Sequence, residues 1–303
     1  MIQTIFLFLK GMAMGAADVV PGVSGGTIAL VAGIYDRLIN AIKSVGLDTL
    51  KALKNGGIAA AWRQIDGNFL LVLLAGILSS VVLLASLIHH LLDTQPILVW
   101  SFFFGLVLAS ALYVGTQIPS WQKNHWFWLV VGTACAAWIS SMAPTSIAVT
   151  PLSLFGAGAL AICAMILPGI SGSFILLMIG MYTPVIAAIK GLDFANLGIF
   201  AGGCVVGILA FSRVLSWLLS RYHHAMLALL TGFMLGALVK IWPWKLVVSY
   251  TMSSSGAQKP LVEKLLWPTD YVLRDPQIIE AAVCALAGAG AVFVLERLGK
   301  LFR

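Results

Sequence analysis

The sequence predicts an all-α polytopic membrane protein made of two inverted-topology repeats, each a broken or re-entrant helical hairpin followed by three transmembrane helices. Three observations carry that expectation. The 303 residues are 60% hydrophobic and only 10% charged, a balance that membrane spans require and a soluble core of this length does not. Apolar runs of bilayer-crossing length recur along the chain. One short break, PGVSG at 21–25, returns as PGISG at 168–172 inside a second apolar stretch.

Taken in order, stretch 2–42 is apolar but split near its middle by the break, too long for one span and awkward as two, so it reads as a re-entrant hairpin. Spans at 69–92, 97–117 and 126–142 complete a first repeat, 1–149. Stretch 152–190 reads as the second broken hairpin, and spans at 197–219, 225–242 and 277–298 complete a second repeat, 150–303. Self-comparison supports the duplication. PGVSGGTIALVAGIYDRLINAIK matches PGISGSFILLMIGMYTPVIAAIK at a constant offset of 147, with Pro21, Gly22, Ser24, Gly25, Gly33, Tyr35, Ile39, Ala41, Ile42 and Lys43 among the repeated residues. Downstream an offset of 127 pairs Gly76 with Gly203 and GLVLAS at 105–110 with GFMLGA at 232–237; the polar loop 43–66 accounts for the difference of 20.

Orientation follows from positive charge. Loop 36–66 carries Arg37, Lys43, Lys51, Lys54 and Arg63, the densest cluster, and is placed in the cytoplasm. Three spans later the uncharged loop 143–151 falls outside, so the second hairpin enters from the opposite face. Both termini are then cytoplasmic, with 12 of the 18 Lys and Arg on that side, and 243–276 is a long outer loop. Trp121, Trp126 and Trp128, and separately Trp242, Trp244 and Trp267, fit interfacial belts. A cleaved signal peptide is not expected, because no charged segment precedes the first apolar stretch and Lys10 lies within it.

The net charge of +7 is spread thinly between apolar runs, without a basic stripe interleaved with aromatics, which argues against nucleic acid as a partner. Cys135, Cys163, Cys204 and Cys284 lie in apolar segments at neither disulfide-framework nor zinc spacing and read as small packing residues. His89, His90, His223 and His224 sit at span ends as wetted boundary residues. No metal and no cofactor is expected.

The breaks carry the chemistry. Backbone at membrane depth must satisfy its own polar groups unless it is buried in protein or lines a wet cavity. Proline presets a turn, glycine admits dihedrals closed to other residues, and the helix that restarts afterwards begins with amides that have no internal partner. The residues Pro21, Gly22, Ser24, Gly25, Gly26 and Thr27, with Gly169, Ser171, Gly172 and Ser173, thus form a candidate anion site of two opposed helix N-termini suited to a phosphate or carboxylate. The plainer alternative is a kink that lets helices pack closely. Asp18 stands three residues before Pro21, and its counterpart is Met165; it reads either as a proton carrier coupled to transport or as a cap on the turn. Arg213 is the best side-chain cation for a phosphate, against a snorkelling alternative. Glu280 and Glu296 read as interfacial, and Tyr35 and Tyr182 as matched residues that either serve the breaks or anchor the hairpins.

The string GAADVVPGVSGGTIALVAGIYDRLINAI, with PGISGS in the second half and FSRVLSWLL after it, resembles the bacterial undecaprenyl phosphate translocase (PopT) family, long catalogued as a domain of unknown function. The likeness spans essentially the whole chain. It implies an inner-membrane protein that returns the polyprenyl phosphate carrier lipid from the outer to the inner leaflet once its glycan cargo is delivered to the cell wall. Residues matching the family's signatures are Asp18, Pro21, Gly22, Ser24, Gly25, Gly26, Thr27, Pro168, Gly169, Ser171, Gly172 and Arg213, while the final Gly-Thr of the first break becomes Ser173-Phe174 in the second. Such a headgroup cannot cross hydrocarbon alone, because an unpaired ion there costs on the order of tens of kcal/mol in the idealised limit. The implied partners are polyprenyl phosphate and membrane lipids; whether the chain forms a homo-oligomer is left open. Two other functions fit less well. A carrier or channel for a small soluble anion would use the same donors in a closed cavity. A polyprenyl pyrophosphate phosphatase would need clustered carboxylates and arginines, where this chain offers Asp18 and little else, so an enzyme is not expected.

Overall fold

The computed structural model describes residues 2–20, 22–142, 144–145, 147–252, 258–271 and 275–301. Each apolar stretch that begins a half folds as three helices rather than two legs. In the first these are α1 (Ile2–Val19), α2 (Gly25–Val31) and α3 (Tyr35–Ser44); in the second they are α8 (Pro151–Ile166), α9 (Gly172–Met178) and α10 (Tyr182–Lys190). Between these groups come α4 (Leu47–Gln64), α5 (Gly67–Thr94), α6 (Pro96–Thr116) and α7 (Lys123–Ser141). After the second group come α11 (Phe194–Arg221), α12 (His223–Ala237), strands β1 (Lys245–Met252) and β2 (Gln258–Leu265), and α13 (Ile278–Leu301).

The PGxSG break separates the first two helices of each group, and a glycine turn separates the next two. Gly22 and Gly169 have φ of 86° and 83°, and Gly33 and Gly180 have φ of 68° and 74°. These are left-handed conformations that a Cβ disfavours, so glycine recurs at both points in both halves. At the second turn α9 and α10 meet at a bend of 110°.

Helices α1, α5, α6, α11 and α13 are each long and apolar enough to cross a bilayer. Two expected spans are less clear-cut. Segment 225–242 is helical only over the 15 residues of α12, roughly 22 Å against a hydrocarbon layer of about 30 Å. Helix α7 begins with Lys123, Asn124 and His125 and falls short of the same length-and-apolarity test. The two lie against each other: a Cβ at Gly132 would strike the Leu229 carbonyl, and one at Gly232 the Leu129 carbonyl. Close approach of this kind lets backbones meet where lipid offers no hydrophobic driving force.

The same device joins α6 to α13, where Gly105 abuts Ala285 and Gly288 abuts Phe102. Helices α1 and α5 meet at Gly11 and Gly76, and α8 and α11 at Gly158 and Gly203. Thus α1–α5 and α8–α11 pair within their own halves, whereas α6–α13 and α7–α12 cross between them. The halves interlock.

Two segments read as loops are structured. Most of the polar loop 43–66 is helix α4, bent at Gly57, where φ is 69°. Segment 243–276, expected as an outer loop, contains an antiparallel β-hairpin, with Lys245 opposite Leu265 and Val247 opposite Glu263, so the chain is all-α apart from this one two-stranded sheet among the described residues. Trp242 stacks edge-on against Phe104, Trp244 and Trp267, and it donates to the Leu266 carbonyl at 2.9 Å. These tryptophans clasp the β-hairpin to the end of α12 and to α6, beyond any belt role.

Candidate functional site

The two breaks meet. Ser24 Oγ donates to the Leu167 carbonyl at 3.1 Å, Gly169 N–H donates to Thr27 Oγ at 3.1 Å, and Tyr35 OH donates to the Ile166 carbonyl at 3.2 Å. Ser24 and Thr27 are completely buried. The first turn of α2 therefore uses its side chains to satisfy the interrupted backbone between α8 and α9. Pro21, expected in the first break, lies outside the described residues.

The breaks differ in how their own amides are satisfied. On α2, Asp18 Oδ1 accepts from Gly25 N–H at 2.7 Å, Ser24 Oγ accepts from Gly26 N–H at 3.1 Å, and the Ser24 carbonyl accepts from Thr27 N–H at 3.0 Å. The carboxylate occupies the position where a helix N-terminus would hold an external anion. On α9, Ser171 makes no capping bond, and the amides of Gly172, Ser173 and Phe174 have no partner among the described residues. Ser171 and Ser173 share a hydroxyl contact of 2.9 Å, and Ser173 is exposed. The expected pair of open N-termini is thus one closed end and one open end. The cause lies in a single matched position: a Cβ at Gly25 would meet Asp18, and one at Gly172 would lie 3.5 Å from the Cβ of Met165.

Beside the breaks stands a charged group that sequence reasoning did not single out. Lys240 Nζ donates to Glu263 Oε2 at 2.8 Å, and Lys245 Nζ lies 3.7 Å from the same oxygen while donating to the Lys240 carbonyl at 2.5 Å. A Cβ at Gly22 would stand 2.9 Å from Lys240 Cγ, and Lys240 Nζ sits 5.1 Å from the centre of the Phe174 ring. One lysine therefore touches the first break and faces the first turn of the second. Lys245 Nζ lies 3.8 Å over the Trp100 ring, a favourable cation–π geometry. The side chains of Lys240, Lys245 and Glu263 are only 21%, 7% and 18% exposed. Burial, opposed by Glu263, brings the Lys245 ammonium down to about 8. Burial alone would raise the Glu263 carboxyl, but its two lysine neighbours more than reverse this and hold it below the ordinary carboxylate range.

Helix α12 measures the distance between this site and a second polar region. At its first residue, His223 joins Asp36, Ile39, Asn40, Ser216, Leu219 and Ser220 around a cleft of about 210 Å³. Farther along, a Cβ at Gly169 would press on Phe233 and Met234. Past its last residue comes Lys240. Cleft, breaks and lysine pair follow one another over roughly 25 Å.

Arg213 belongs to the cleft end. Its guanidinium donates to the Leu209 carbonyl at 2.6 Å and to the Val45 carbonyl, between α3 and α4, at 3.0 Å, and none of its hydrogen bonds reaches a break. One turn farther along α11, Ser216 Oγ accepts from Lys43 Nζ at 3.1 Å and donates to Asn40 Oδ1 at 2.9 Å. Sequence pattern offered no signal for this pairing, since α3 and α11 lie far apart in the chain.

Comparison with known proteins places these features in a family. Residues 14–259 match the model of the VCA0040-like family, described as undecaprenyl phosphate translocase-like. A polyprenyl-phosphate transporter of Vibrio cholerae is 48% identical over 293 residues, covering 96% of this chain and 95% of the relative. A polyprenyl-phosphate transporter of Staphylococcus aureus is 34% identical over 253 residues, covering 78% of this chain and 85% of the relative. No solved structure matches. A family model spanning both breaks, the cleft and the lysine pair, together with near-full-length identity to one relative, leads to one conclusion: the chain belongs to the undecaprenyl phosphate translocase-like family.

Proposed function

We propose that this protein transports polyprenyl phosphate across the bacterial inner membrane, carrying the headgroup past the paired breaks while the isoprenoid tail stays in lipid. The observation that carries the reading is the direct hydrogen bonding of the two breaks beside three unpartnered amides on α9. Donors at such a place replace the water that a phosphate leaves behind. The two halves act as inverted repeats, with α4 and the cleft on the cytoplasmic face and the β-hairpin outside. Net movement runs from the outer to the inner leaflet, returning the spent carrier.

On this path the headgroup meets the Lys240 end first, then the open end of α9 with Gly169, Ser171, Gly172 and Ser173, and leaves through the cleft near Arg213 and Lys43. Asp18 supplies the coupling. While ionised it fills the α2 end; when it takes a proton its hold on Gly25 N–H weakens, and the phosphate can bond Gly25, Gly26 and the neighbouring Ser24 and Thr27. Proton uptake then accompanies passage of the anion.

The test is reconstitution of the purified full-length chain in vesicles holding polyprenyl phosphate, with leaflet exposure followed across a pH step. Exchange should exceed that in protein-free vesicles, Asp18→Asn should flatten its pH dependence, and Arg213→Ala should slow it several-fold. Exchange no faster than in protein-free vesicles refutes the transport reading.

A further inference from the structure

The Lys240, Lys245 and Glu263 group is more than an anchor for the β-hairpin requires. One lysine and one carboxylate would tie β2 to the end of α12, and each extra buried charge is costly to desolvate. Here a second, more deeply buried lysine shares a single carboxylate oxygen, leaving two ammonium groups against one negative charge. A phosphate monoester dianion would balance the pair. It would also offer three oxygens where the carboxylate presents one to both lysines. The group stands against Gly22 of the first break and faces the ring of Phe174, in the first turn of α9 after the second break.

We propose that Lys240 and Lys245 form the entry site for the phosphate monoester headgroup, and that Glu263 is a tethered stand-in which the headgroup displaces. This rests on the transport reading above and names the residues that receive the substrate. Displacement frees β2 from Lys240, so the β-hairpin loosens when the lipid binds and closes again once it has left. Without a substrate the carboxylate keeps the two lysines from repelling each other and from binding other anions. The site would favour a monoester over the neutral alcohol, because farnesol brings no charge to replace Glu263.

The experiment uses the full-length protein in detergent, titrated with farnesyl phosphate, farnesol and inorganic phosphate. Removing the competitor should tighten binding: Glu263→Gln is expected to bind farnesyl phosphate at least threefold more tightly than the parent. Lys245→Met and Lys240→Gln should bind it at least tenfold more weakly. The double variant Lys240→Gln with Glu263→Gln, which removes a whole ion pair, should keep the parent's melting temperature to within a few degrees yet still lose binding. If Glu263→Gln binds no more tightly than the parent, or if the lysine variants bind as well as the parent, the entry site is refuted while vesicle transport can still stand. Inorganic phosphate competing as well as farnesyl phosphate would support the lysine site and overturn its assignment to a lipid.

Discussion

The two breaks share a backbone and differ in charge. Gly22 and Gly169 adopt nearly the same φ, and α2 and α9 are each seven residues long. Yet α2 is capped by Asp18 and sealed, while α9 begins uncapped with an exposed serine. Matched backbone geometry therefore does not bring matched capping. At matched positions one end faces a carboxylate, Asp18, and the other a thioether, Met165, and only the carboxylate caps its turn.

The harshest way to break the comparison is at the shared geometry. Gly169→Ala adds a methyl to a left-handed residue and drives it toward the Phe233 carbonyl, 2.8 Å away. Strain and overpacking together should cost roughly 3 kcal/mol or more, seen as a large drop in melting temperature in detergent. The next test concerns the contact between breaks. Thr27→Val keeps the shape but leaves Gly169 N–H buried without its acceptor, at a cost of about 1–3 kcal/mol in the same measurement.

A third change sharpens the difference itself. Met165→Asp should give α9 the internal anion that α2 already has, weakening farnesyl phosphate binding about tenfold, or about 1.4 kcal/mol, with little change in melting temperature. Unchanged binding would mean that the open end is not where the headgroup rests. The mildest effect is expected from pH. As pH rises through about 8, Lys245, which faces Glu263 on β2, Lys240 beyond α12 and the Trp100 ring on α6, gives up its proton. The lysine group falls from a net charge of one to zero, so binding to the entry site should weaken a few-fold above that pH. Lys245→Met should flatten the profile.

Much of this was legible in the sequence, for identifiable reasons. The helices around 69–92, 97–117, 197–219 and 277–298 follow from local apolar length, and the breaks follow from glycine and proline chemistry that acts within a few residues. The asymmetry at Asp18 and Met165 was visible as a mismatch in the repeat, but whether the carboxylate capped the turn depended on the path of residues 19–24. What pattern could not show is long-range pairing. Glu263 meets Lys240 only because β1 pairs with β2, a pairing hidden among polar residues and Pro260. Arg213 looked like a phosphate ligand by charge alone; its partner at Val45 comes from packing of α11 on the end of α3.

The crossing of α6 with α13 and of α7 with α12 bears on how such a chain can be made. Cut between residues 149 and 150, neither fragment could complete itself, because each would keep a close-packed helix surface whose mate is on the other piece. Synthesis must therefore deliver the last helix before the first half finds its final shape. Once assembled, this interwoven quartet ties the two ends of the chain together, and α1 with α5 and α8 with α11 pack beside it as separate pairs, α1 and α8 each leading into one of the interrupted turns.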